Sequence, residues 1–279
     1  MTALIIGGTG QLGSELRKLL DEKQLNYVSV GSKELDITDA HAVESLIHSL
    51  KPEVIYHCAA YTAVDKAEEE GKEANQLVNV VGTKNVAKAA EEIGATLVYI
   101  STDYVFDGLK NEEYTVEDST NPKNEYGRAK LEGELAVKEL STKSYIVRTS
   151  WVFGEFGPNF VYTMQRLAKN YDKLTVVSDQ MGRPTWTRTL AEFMTFLVDE
   201  KADYGIYHLS NDGSCSWYEF AKEILKDKEV EVAPVTSAEY PQKAYRPMHS
   251  VMDLSKAKAI GFTIPTWREA LSSFLKSII

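Results

Sequence analysis

The run Gly7-Gly8-Thr9-Gly10-Gln11-Leu12-Gly13 overlaps the end of the apolar stretch Ala3–Gly8 and the start of a helical pattern, Gln11–Lys23. Between a strand and a helix, glycines allow a tight turn and let backbone amides approach a pyrophosphate at the helix N-terminus. The run fits both Gly-x-Gly-x-x-Gly and Gly-x-x-Gly-x-x-Gly. Such a fingerprint alone has many false positives, but its strand-turn-helix context favours dinucleotide binding over a merely structural turn. The predicted cofactor contacts in this turn are Gly7, Gly10, Gln11, Leu12 and Gly13.

Strand-like and helix-like stretches alternate outward from this turn. The apolar strand-like runs are Ala3–Gly8, Tyr27–Gly31, Val54–Ala59, Leu97–Thr102 and Tyr145–Thr149. The helical stretches between them are Gln11–Lys23, Ala40–Leu50, Ala74–Ile93 and Tyr126–Leu140. With right-handed crossovers, this order predicts an α/β fold with a doubly wound, Rossmann-like parallel sheet.

Beyond residue 150 the alternation loosens. Leu174–Ser178 and Ile206–Leu209 are strand-like, Leu190–Val198 is helical, and Ser216 with Glu219 has the capping-box spacing that opens a helix through Lys226. We predict an NADP(H)-binding domain over residues 1–150 that also receives segments near 174–215. Residues 151–279 would form a smaller, mainly substrate-binding part, with an approximate boundary and a chain that crosses between the two.

Composition narrows the class of protein. A chain of 279 residues with 43% hydrophobic residues can bury a substantial core without staples. Two cysteines argue against a disulfide framework, and five histidines show no metal-ligand spacing, so we predict no metal. A formal charge of −10 disfavours nucleic acid and anionic membranes as partners. The chain lacks a basic leader and any apolar run of about 20 residues, which predicts a cytoplasmic location.

The end of the second strand bears on cofactor choice. An NAD-preferring site commonly has an acidic residue there, and Val28-Ser29-Val30-Gly31-Ser32-Lys33 has none. Ser32 and Lys33 instead leave room and positive charge for a 2′-phosphate, which favours NADPH, with NADH possible. The alternative is a polar turn with a solvated lysine.

Two later segments are further cofactor candidates. Asp36 and Ile37 would contact the adenine, or Asp36 would cap the following helix. Ala59, Ala60 and Tyr61 follow the third strand, where small residues let a cofactor pass close to the backbone. Small residues are equally common in tight strand-helix packing.

Tyr126 and Lys130 are four residues apart on a predicted helix, which places a weak acid beside a cation. A free tyrosine titrates near pH 10 and needs a neighbouring positive charge to serve as an acid at neutral pH. By itself the pair also fits a solvated helix. Thr102, however, ends the fourth strand, where a hydroxyl would face the cofactor crevice.

The order of glycine turn, Thr102 hydroxyl and Tyr-x-x-x-Lys resembles the extended short-chain dehydrogenase/reductases over essentially the whole chain. Within that superfamily, six strings are similar to the dTDP-4-dehydrorhamnose reductase branch. They are Gly-Gly-Thr-Gly-Gln-Leu-Gly (7–13), Ala-Ala-Tyr-Thr-Ala-Val-Asp-Lys-Ala-Glu (59–68), Ser-Thr-Asp-Tyr-Val-Phe-Asp-Gly (101–108), Arg-Thr-Ser-Trp-Val-Phe (148–153), Asp-Gln-x-Gly-x-Pro-Thr (179–185) and Arg-Pro-x-x-Ser-x-x-Asp (246–253).

The resemblance implies NAD(P)H-dependent reduction of the C4 keto group of dTDP-4-dehydro-L-rhamnose to dTDP-L-rhamnose, a step of polysaccharide biosynthesis. It implies a nucleotide-sugar substrate and a possible homodimer. Tyr126 would protonate the sugar oxygen, and Lys130 would lower the phenol's pKa and hold the nicotinamide ribose. Thr102 would donate a hydrogen bond that orients substrate and tyrosine.

The substrate contacts are chosen from the same strings. Trp151 would pack on a sugar or base face, the alternative being a core tryptophan. Apolar side chains flanking the crevice would bracket the deoxysugar methyl, although packing alone explains some of them. Guanidinium forks suit a diphosphate, but they also pair with surface carboxylates. The predicted substrate contacts are Val64, Thr102, Asp103, Val105, Phe106, Tyr126, Trp151, Arg183 and Arg246.

Two other functions remain open at this point. An epimerase or dehydratase of the same superfamily would use NAD transiently and return the hydride. Dehydratases often have an Asp-Glu pair beside the hydroxyl, whereas here Tyr104 follows Asp103. A non-catalytic regulatory subunit would keep the fold, as do relatives that partner methionine adenosyltransferase, but the presence of Thr102, Tyr126 and Lys130 together argues against it.

Overall fold

The apolar runs of the first half of the chain form neighbouring strands of one sheet. The structure is a computed structural model that describes residues 2–278. Its strands, in chain order, are β1 (Ala3–Ile6), β2 (Tyr27–Val30), β3 (Val54–His57), β4 (Thr96–Thr102), β5 (Ser144–Thr149), β6 (Val152–Phe153), β7 (Lys173–Val177), β8 (Met181–Gly182), β9 (Thr185–Trp186), β10 (Gly205–His208), β11 (Cys215–Ser216) and β12 (Glu231–Val235).

Six strands build the main sheet in the order β2-β1-β3-β4-β5-β10, and all neighbouring pairs are parallel. The predicted doubly wound α/β class is therefore confirmed. The winding direction reverses between β1 and β3, and open α/β sheets bind ligands outside the carboxyl ends of their strands at such a point. β4 and β5 run in register with Thr102 opposite Thr149, so both side chains reach that edge.

Helices cover both faces of this sheet. The α-helices of residues 2–278, some of which pack elsewhere, are α1 (Gln11–Glu22), α2 (Ala40–Leu50), α3 (Val64–Ala67), α4 (Lys72–Gln76), α5 (Thr83–Ile93), α6 (Glu125–Leu140), α7 (Phe160–Leu167), α8 (Thr187–Asp199), α9 (Trp217–Ile224), α10 (Ser255–Ala259) and α11 (Trp267–Ser277). Leu16 of α1 and Phe193 of α8 belong to the core of one face, and Val43 of α2 and Val86 of α5 to that of the other. All four side chains are fully buried, so each contributes about 1.5–3 kcal/mol of hydrophobic stabilisation.

The helix predicted over 74–93 is interrupted. α4 and α5 are joined by one π-helical segment, Leu77–Gly82. Within it, the Asn79 amide donates to the backbone carbonyl of Tyr61 and to Asn75, and its oxygen accepts from the Tyr61 amide. A π-bulge is often found at functional sites, and here it fixes the backbone just after β3. The helix predicted from Ser216 through Lys226 ends at Ile224.

The later strands divide between two places. β10 extends the main sheet beside β5, and α8 packs on α1. β7 pairs instead with β12 in a separate two-stranded parallel sheet. Near that sheet a third core contains Phe153, Phe220 and Phe274. Among residues 2–278, no helix combines the length and the apolar character needed to cross a bilayer.

Candidate active site

A cavity of about 600 Å³ lies at the carboxyl edge of the main sheet. Thr102, Tyr126 and Lys130 all line it, although they come from a strand end and from two turns of α6. Gly10, Gln11 and Leu12 of the glycine turn line the same cavity. The structure therefore brings the predicted acid, cation and hydroxyl together with the predicted cofactor turn.

Thr102 ends β4 and caps the 3₁₀ turn Asp103–Val105. Its hydroxyl accepts from the Tyr104 amide at 3.2 Å and donates to the Asp103 carboxylate at 3.0 Å. Asp103 is 2% exposed, and burial raises its pKa to about 6. The hydroxyl is thus oriented by its own neighbours and stays at the cavity wall.

Tyr126 is the second residue of α6, which Asn124 caps by accepting from the Gly127 amide at 2.6 Å. Gly127 lets the helix approach the 3₁₀ turn closely, because a Cβ there would lie 2.2 Å from the Tyr104 carbonyl oxygen. Burial raises the pKa of the Tyr126 phenol and the charge of Asp103 adds to this, whereas a hydrogen bond with Thr102 opposes it. In the protein without ligands, the phenol is therefore protonated at neutral pH.

Lys130 follows one turn later and is 2% exposed. Its Nζ lies 4.1 Å above the centroid of the Tyr99 ring, a cation–π contact. Burial lowers the Lys130 pKa to about 7, and the negative charge of Glu134 is the largest influence that opposes that shift. The sequence predicts that Lys130 lowers the phenol's pKa, whereas in this structure burial is the largest influence on Tyr126 and acts in the other direction.

The glycine turn fits an anionic cofactor. Gly7 has φ +85°, and a Cβ there would lie 2.5 Å from the Ala59 amide nitrogen. A Cβ on Gly13 would lie 2.2 Å from the Gly7 carbonyl oxygen. Both positions therefore need glycine for the close backbone packing of the turn. Gly10 caps α1 without any side-chain hydrogen bond. The first amides of α1 are thus left for a phosphate, the arrangement that dinucleotides use at helix N-termini.

The end of β2 differs from the sequence prediction. Ser32 and Lys33 are exposed, as a phosphate-binding pair must be. Residues 28–33 contain no acidic side chain, but the structure places one at the end of β2. Glu34 folds back, and its carboxylate accepts from the Gly31 amide at 2.8 Å. The sequence alone does not reveal this acid, because Glu34 lies beyond the strand end and only the turn that follows brings its side chain back to Gly31.

The other cofactor candidates lie at varying distances from the cavity. Asp36 accepts from the backbone and hydroxyl of Thr38, and Asp39 rather than Asp36 caps α2. Ile37 is buried, and a Cβ on Gly82 would lie 2.5 Å from it. The Ile37 side chain is therefore packed inside the protein and is not exposed toward an adenine.

The segment after β3 carries the remaining cofactor candidates. Ala60 lines the cavity, and the Ala59 backbone lies against Gly7. The Tyr61 backbone is held by Asn79 through two hydrogen bonds. Small side chains here therefore serve tight packing and cavity access at once.

On the substrate side, Val64, Asp103 and Trp151 line the cavity. Val105 and Phe106 are fully buried and do not, because they form a small core with Tyr114 and Met252. Phe106 stacks on Tyr114 with ring centroids 4.3 Å apart. Their assignment as substrate contacts is corrected: packing explains both side chains.

Trp151 has φ +48°, an uncommon backbone conformation for a bulky residue that is often found at functional sites. Its indole stacks on Trp217, with centroids 3.7 Å apart and planes 13° apart. The Gly182 backbone packs against it, since a Cβ there would lie 2.5 Å from Cε2. Trp151 is thus a half-buried cavity wall whose ring face is already occupied by another indole.

The two arginines predicted to bind the diphosphate lie in different surroundings. Arg183 is 6% exposed, donates to the Met252 carbonyl and pairs with Glu113 at 2.6 Å, and it lines neither cavity described here. Its assignment to a diphosphate is therefore corrected to a structural pair. Arg246 lines a second cavity of about 440 Å³ and pairs with Asp65 at 2.7 Å.

Three aromatic residues that sequence reasoning missed border both cavities: Tyr104, Phe160 and Trp217. Trp217 is the first residue of α9, directly after Ser216, whose capping box with Glu219 begins the helix. The capping box identified the helix start, but only the fold shows that this start faces the crevice. The two cavities are therefore neighbours that share one aromatic border.

The structure also brings together three side chains of metal-ligating type that the sequence did not predict to be neighbours. Glu44, His48 and Glu92 lie together on α2 and α5, with their ligand atoms within 4.8 Å of one another. All three are exposed, and His48 Nε2 lies 3.0 Å from Glu92 Oε2. A surface ion pair accounts for this arrangement when the imidazole is protonated.

Comparisons with known proteins show the family of the chain. The family model described as "RmlD substrate binding domain" matches residues 1–279. A dTDP-4-dehydrorhamnose reductase of Aggregatibacter actinomycetemcomitans is 44% identical, over 97% of this chain and 97% of its own length. The crystal structure of such a reductase from Clostridium acetobutylicum has a TM-score of 0.97 at 44% identity, covering 100% of this chain and 99% of that one. One from Bacillus anthracis, in complex with NADP, has a TM-score of 0.96 at 42% identity and covers 99% of each chain.

Proposed function

Because the chain belongs to the RmlD substrate binding domain family, together with dTDP-4-dehydrorhamnose reductases, we propose that it reduces the C4 keto group of dTDP-4-dehydro-L-rhamnose to give dTDP-L-rhamnose. The observation that carries this proposal is the cavity shared by Thr102, Tyr126, Lys130 and an uncapped helix N-terminus after a glycine turn. That combination supplies a proton donor, a cation and a pyrophosphate site within one space.

NADPH bound along the glycine turn supplies the hydride for the C4 carbon. Tyr126 holds the proton that the developing alkoxide needs, and its phenol is protonated at neutral pH, as a general acid must be. Thr102 would orient the carbonyl oxygen by a hydrogen bond once its hydroxyl proton turns from Asp103 to the substrate, while the Tyr104 amide still donates to the hydroxyl oxygen. Lys130 binds the nicotinamide ribose and stabilises the phenolate left after proton transfer.

The two cavities suit the two ends of a nucleotide sugar. The sugar would lie beside Thr102 and Tyr126 in the first, and the nucleotide in the second, where Arg246 offers a guanidinium to the diphosphate. Tyr104, Phe160 and Trp217 would line the passage between them. Binding the sugar in one cavity and the nucleotide in the other would explain why the site is larger than hydride transfer to the sugar requires.

Cofactor stoichiometry tests this function. Purified protein incubated with the 4-keto deoxysugar nucleotide should oxidise one NADPH per product formed. An epimerase or dehydratase of the same fold would form product with no net loss of cofactor. A non-catalytic subunit would form no product, so either result would overturn the proposal.

The two arginines should respond differently to substitution. Arg246→Gln should raise the KM for the nucleotide sugar about 10–100-fold, because it removes a charged hydrogen bond to the diphosphate. Arg183→Gln should instead lower the free energy of unfolding by about 1.5–3 kcal/mol and leave KM close to that of the wild type, because Arg183 is buried against Glu113 and Met252. Steady-state kinetics and urea unfolding measure both effects. An equal rise in KM for both variants would contradict the assignment.

Glu34 should limit the preference for NADPH. Its carboxylate lies at the end of β2, about 20 residues after the glycine turn, where an acid accepts from the ribose hydroxyl of NAD and repels a 2′-phosphate. Glu34→Gln should tighten NADP⁺ binding about 5-fold, since one like charge near the phosphate is removed. It should leave NAD⁺ binding unchanged or weaker. Fluorescence titration gives both Kd values, and the exposed residue Glu229 serves as the matched control in Glu229→Gln.

The cytoplasmic location and the homodimer are proposals as well. The cytoplasmic location rests on the cysteine usage and the nucleotide-bound substrate. For a homodimer, support comes from the exposed apolar side chains Leu77, Val81 and Leu135 on the contacting π-helical segment and α6. Light scattering after size exclusion gives the mass, and Leu135→Glu should shift it toward that of a monomer.

A further inference from the structure

Glu134 lies one helical turn beyond Lys130 on α6. Tyr126, Lys130 and Glu134 follow one another at intervals of four residues, so they share one face of the helix. Glu134 is 1% exposed and Lys130 is 2% exposed. An acid and a base buried this deeply are unfavourable unless other groups compensate them.

Two strands hold the Glu134 carboxylate. Arg148 on β5 donates from Nε to Oε1 at 2.8 Å and from Nη2 to Oε2 at 2.7 Å, a bidentate pair. The Ser101 hydroxyl on β4 donates to Oε1. Ser101 precedes Thr102 and lies opposite Arg148 in the sheet register. One carboxylate thus ties the helix of Tyr126 and Lys130 to the strand that ends in Thr102.

Lys130 has no comparable clamp. Within residues 2–278 no carboxylate forms an ion pair with its ammonium group, and its Nζ instead faces the Tyr99 ring. From β3 and the residue after it, His57 and Cys58 act on it, but burial lowers the pKa of His57 to about 3 and raises that of Cys58 to about 12. Both are therefore neutral at pH 7.

The remaining groups leave Glu134 as the negative charge that acts on Lys130. The phenols of Tyr99 and Tyr126 are protonated because burial raises the pKa of each. Behind the carboxylate lie Arg148 and then His208, whose pKa burial lowers to about 3. Two other charges belong to this cluster. The Arg148 cation, hydrogen-bonded to the Glu134 carboxylate, favours the neutral form of Lys130. Asp103, whose pKa burial raises to about 6, places its charge on Tyr126.

We propose that Glu134 is a positioning residue of the reductase reaction, whose buried carboxylate keeps Lys130 protonated and fixes α6 against β4. Glu134 does not line the cavity and acts only through Lys130 and through the placement of the helix. The inference rests on the proposed function, in which Lys130 must be a cation. Its alternative is a purely structural ion pair, which would matter for stability alone.

Glu134→Gln is the decisive variant because it keeps the shape of the side chain and removes its charge. Lys130 should then lose its proton at lower pH, so the alkaline limb of the kcat profile should move to lower pH by about 1 unit or more. Turnover at the acidic end of the profile should approach that of the wild type. A purely structural pair would reduce activity by the same factor at every pH.

Arg148→Lys is the matched control. It retains the carboxylate and a buried cation but loses the bidentate geometry, so it should reduce stability while the alkaline limb stays at its wild-type position. Glu134→Gln combined with Arg148→Met covers the case in which the single variant does not fold, because it also removes the Arg148 cation that Glu134→Gln alone would leave buried without its partner. The double variant should show a limb displaced in the same direction but by less, because it also removes the Arg148 cation that favours neutral Lys130.

A binding measurement separates this inference from the proposed function. The Kd for NADPH, measured by fluorescence without substrate, should rise with pH as Lys130 loses its proton, and in Glu134→Gln that rise should begin about 1 unit lower. If the wild type failed to reduce the sugar nucleotide, the proposed function would fall while this binding profile still tested Glu134. A folded Glu134→Gln or double variant whose Kd profile matches that of the wild type would overturn the inference.

Discussion

Replacing Tyr126 with phenylalanine should reduce kcat by about 10²–10⁴-fold, the usual contribution of a positioned general acid. The ring would still pack edge-on against Tyr104, 6.0 Å away between centroids, so the cavity keeps its shape. The variant loses the proton, the hydrogen bond to the substrate oxygen and the hydrogen bond with Thr102. The Kd for NADPH should therefore remain close to that of the wild type, as measured by fluorescence titration.

Tyr104→Phe is the matched control for this experiment. Tyr104 borders both cavities, and burial raises the pKa of its phenol too, but it follows Asp103 on the 3₁₀ turn rather than lying beside Lys130 on α6. Its loss should cost far less in kcat than the loss of the Tyr126 hydroxyl. Near-normal turnover by Tyr126→Phe, or equal losses in the two variants, would remove Tyr126 from the acid role.

Gly7→Ala should lower the free energy of unfolding by about 2–5 kcal/mol and abolish cofactor binding. A left-handed conformation costs a residue with a Cβ about 1–2 kcal/mol, and overpacking adds about 1–3 kcal/mol. The overpacking arises because the new Cβ would lie 2.5–2.8 Å from backbone atoms of Cys58 and Ala59. Those atoms follow β3, so relieving the clash must shift the floor of the cavity.

Gly261→Ala separates the cost of the left-handed backbone conformation from the cost of overpacking. Gly261 has φ +93°, similar to that of Gly7, but no atom lies within 4 Å of a Cβ built there. It should therefore lose only about 1–2 kcal/mol. Urea unfolding of both variants gives the difference, which is the contribution of close packing at the glycine turn. Equal losses would show that backbone strain alone explains the requirement for glycine.

The sequence was sufficient for the main sheet because its strands are local apolar runs with clear boundaries. The π-helical segment could not be predicted, since it depends on Asn79 reaching the backbone of Tyr61 after a different strand. The sequence also could not predict which strand pairs with β7. Its pattern is that of a strand, but nothing local indicates that it pairs with β12 rather than joining the main sheet.

The candidate site shows the same limit. Thr102, Tyr126 and Lys130 could be predicted because a strand end and a four-residue spacing place them. Arg183 could not be placed, because a guanidinium suits both a diphosphate and a carboxylate, and Glu113 decides the matter from 70 positions earlier in the chain. Trp217 was missed for the converse reason: its local sequence describes a helix start and says nothing of the crevice.

The stacked indoles of Trp151 and Trp217 also give the protein a built-in optical signal. At a separation of 3.7 Å, the electronic transitions of the two rings couple, so their circular dichroism depends on their mutual orientation. Both rings border the first cavity, and Trp217 borders the second as well. Occupation of either cavity can thus be followed without a label, a coloured product or turnover, in variants whose chemistry has been abolished.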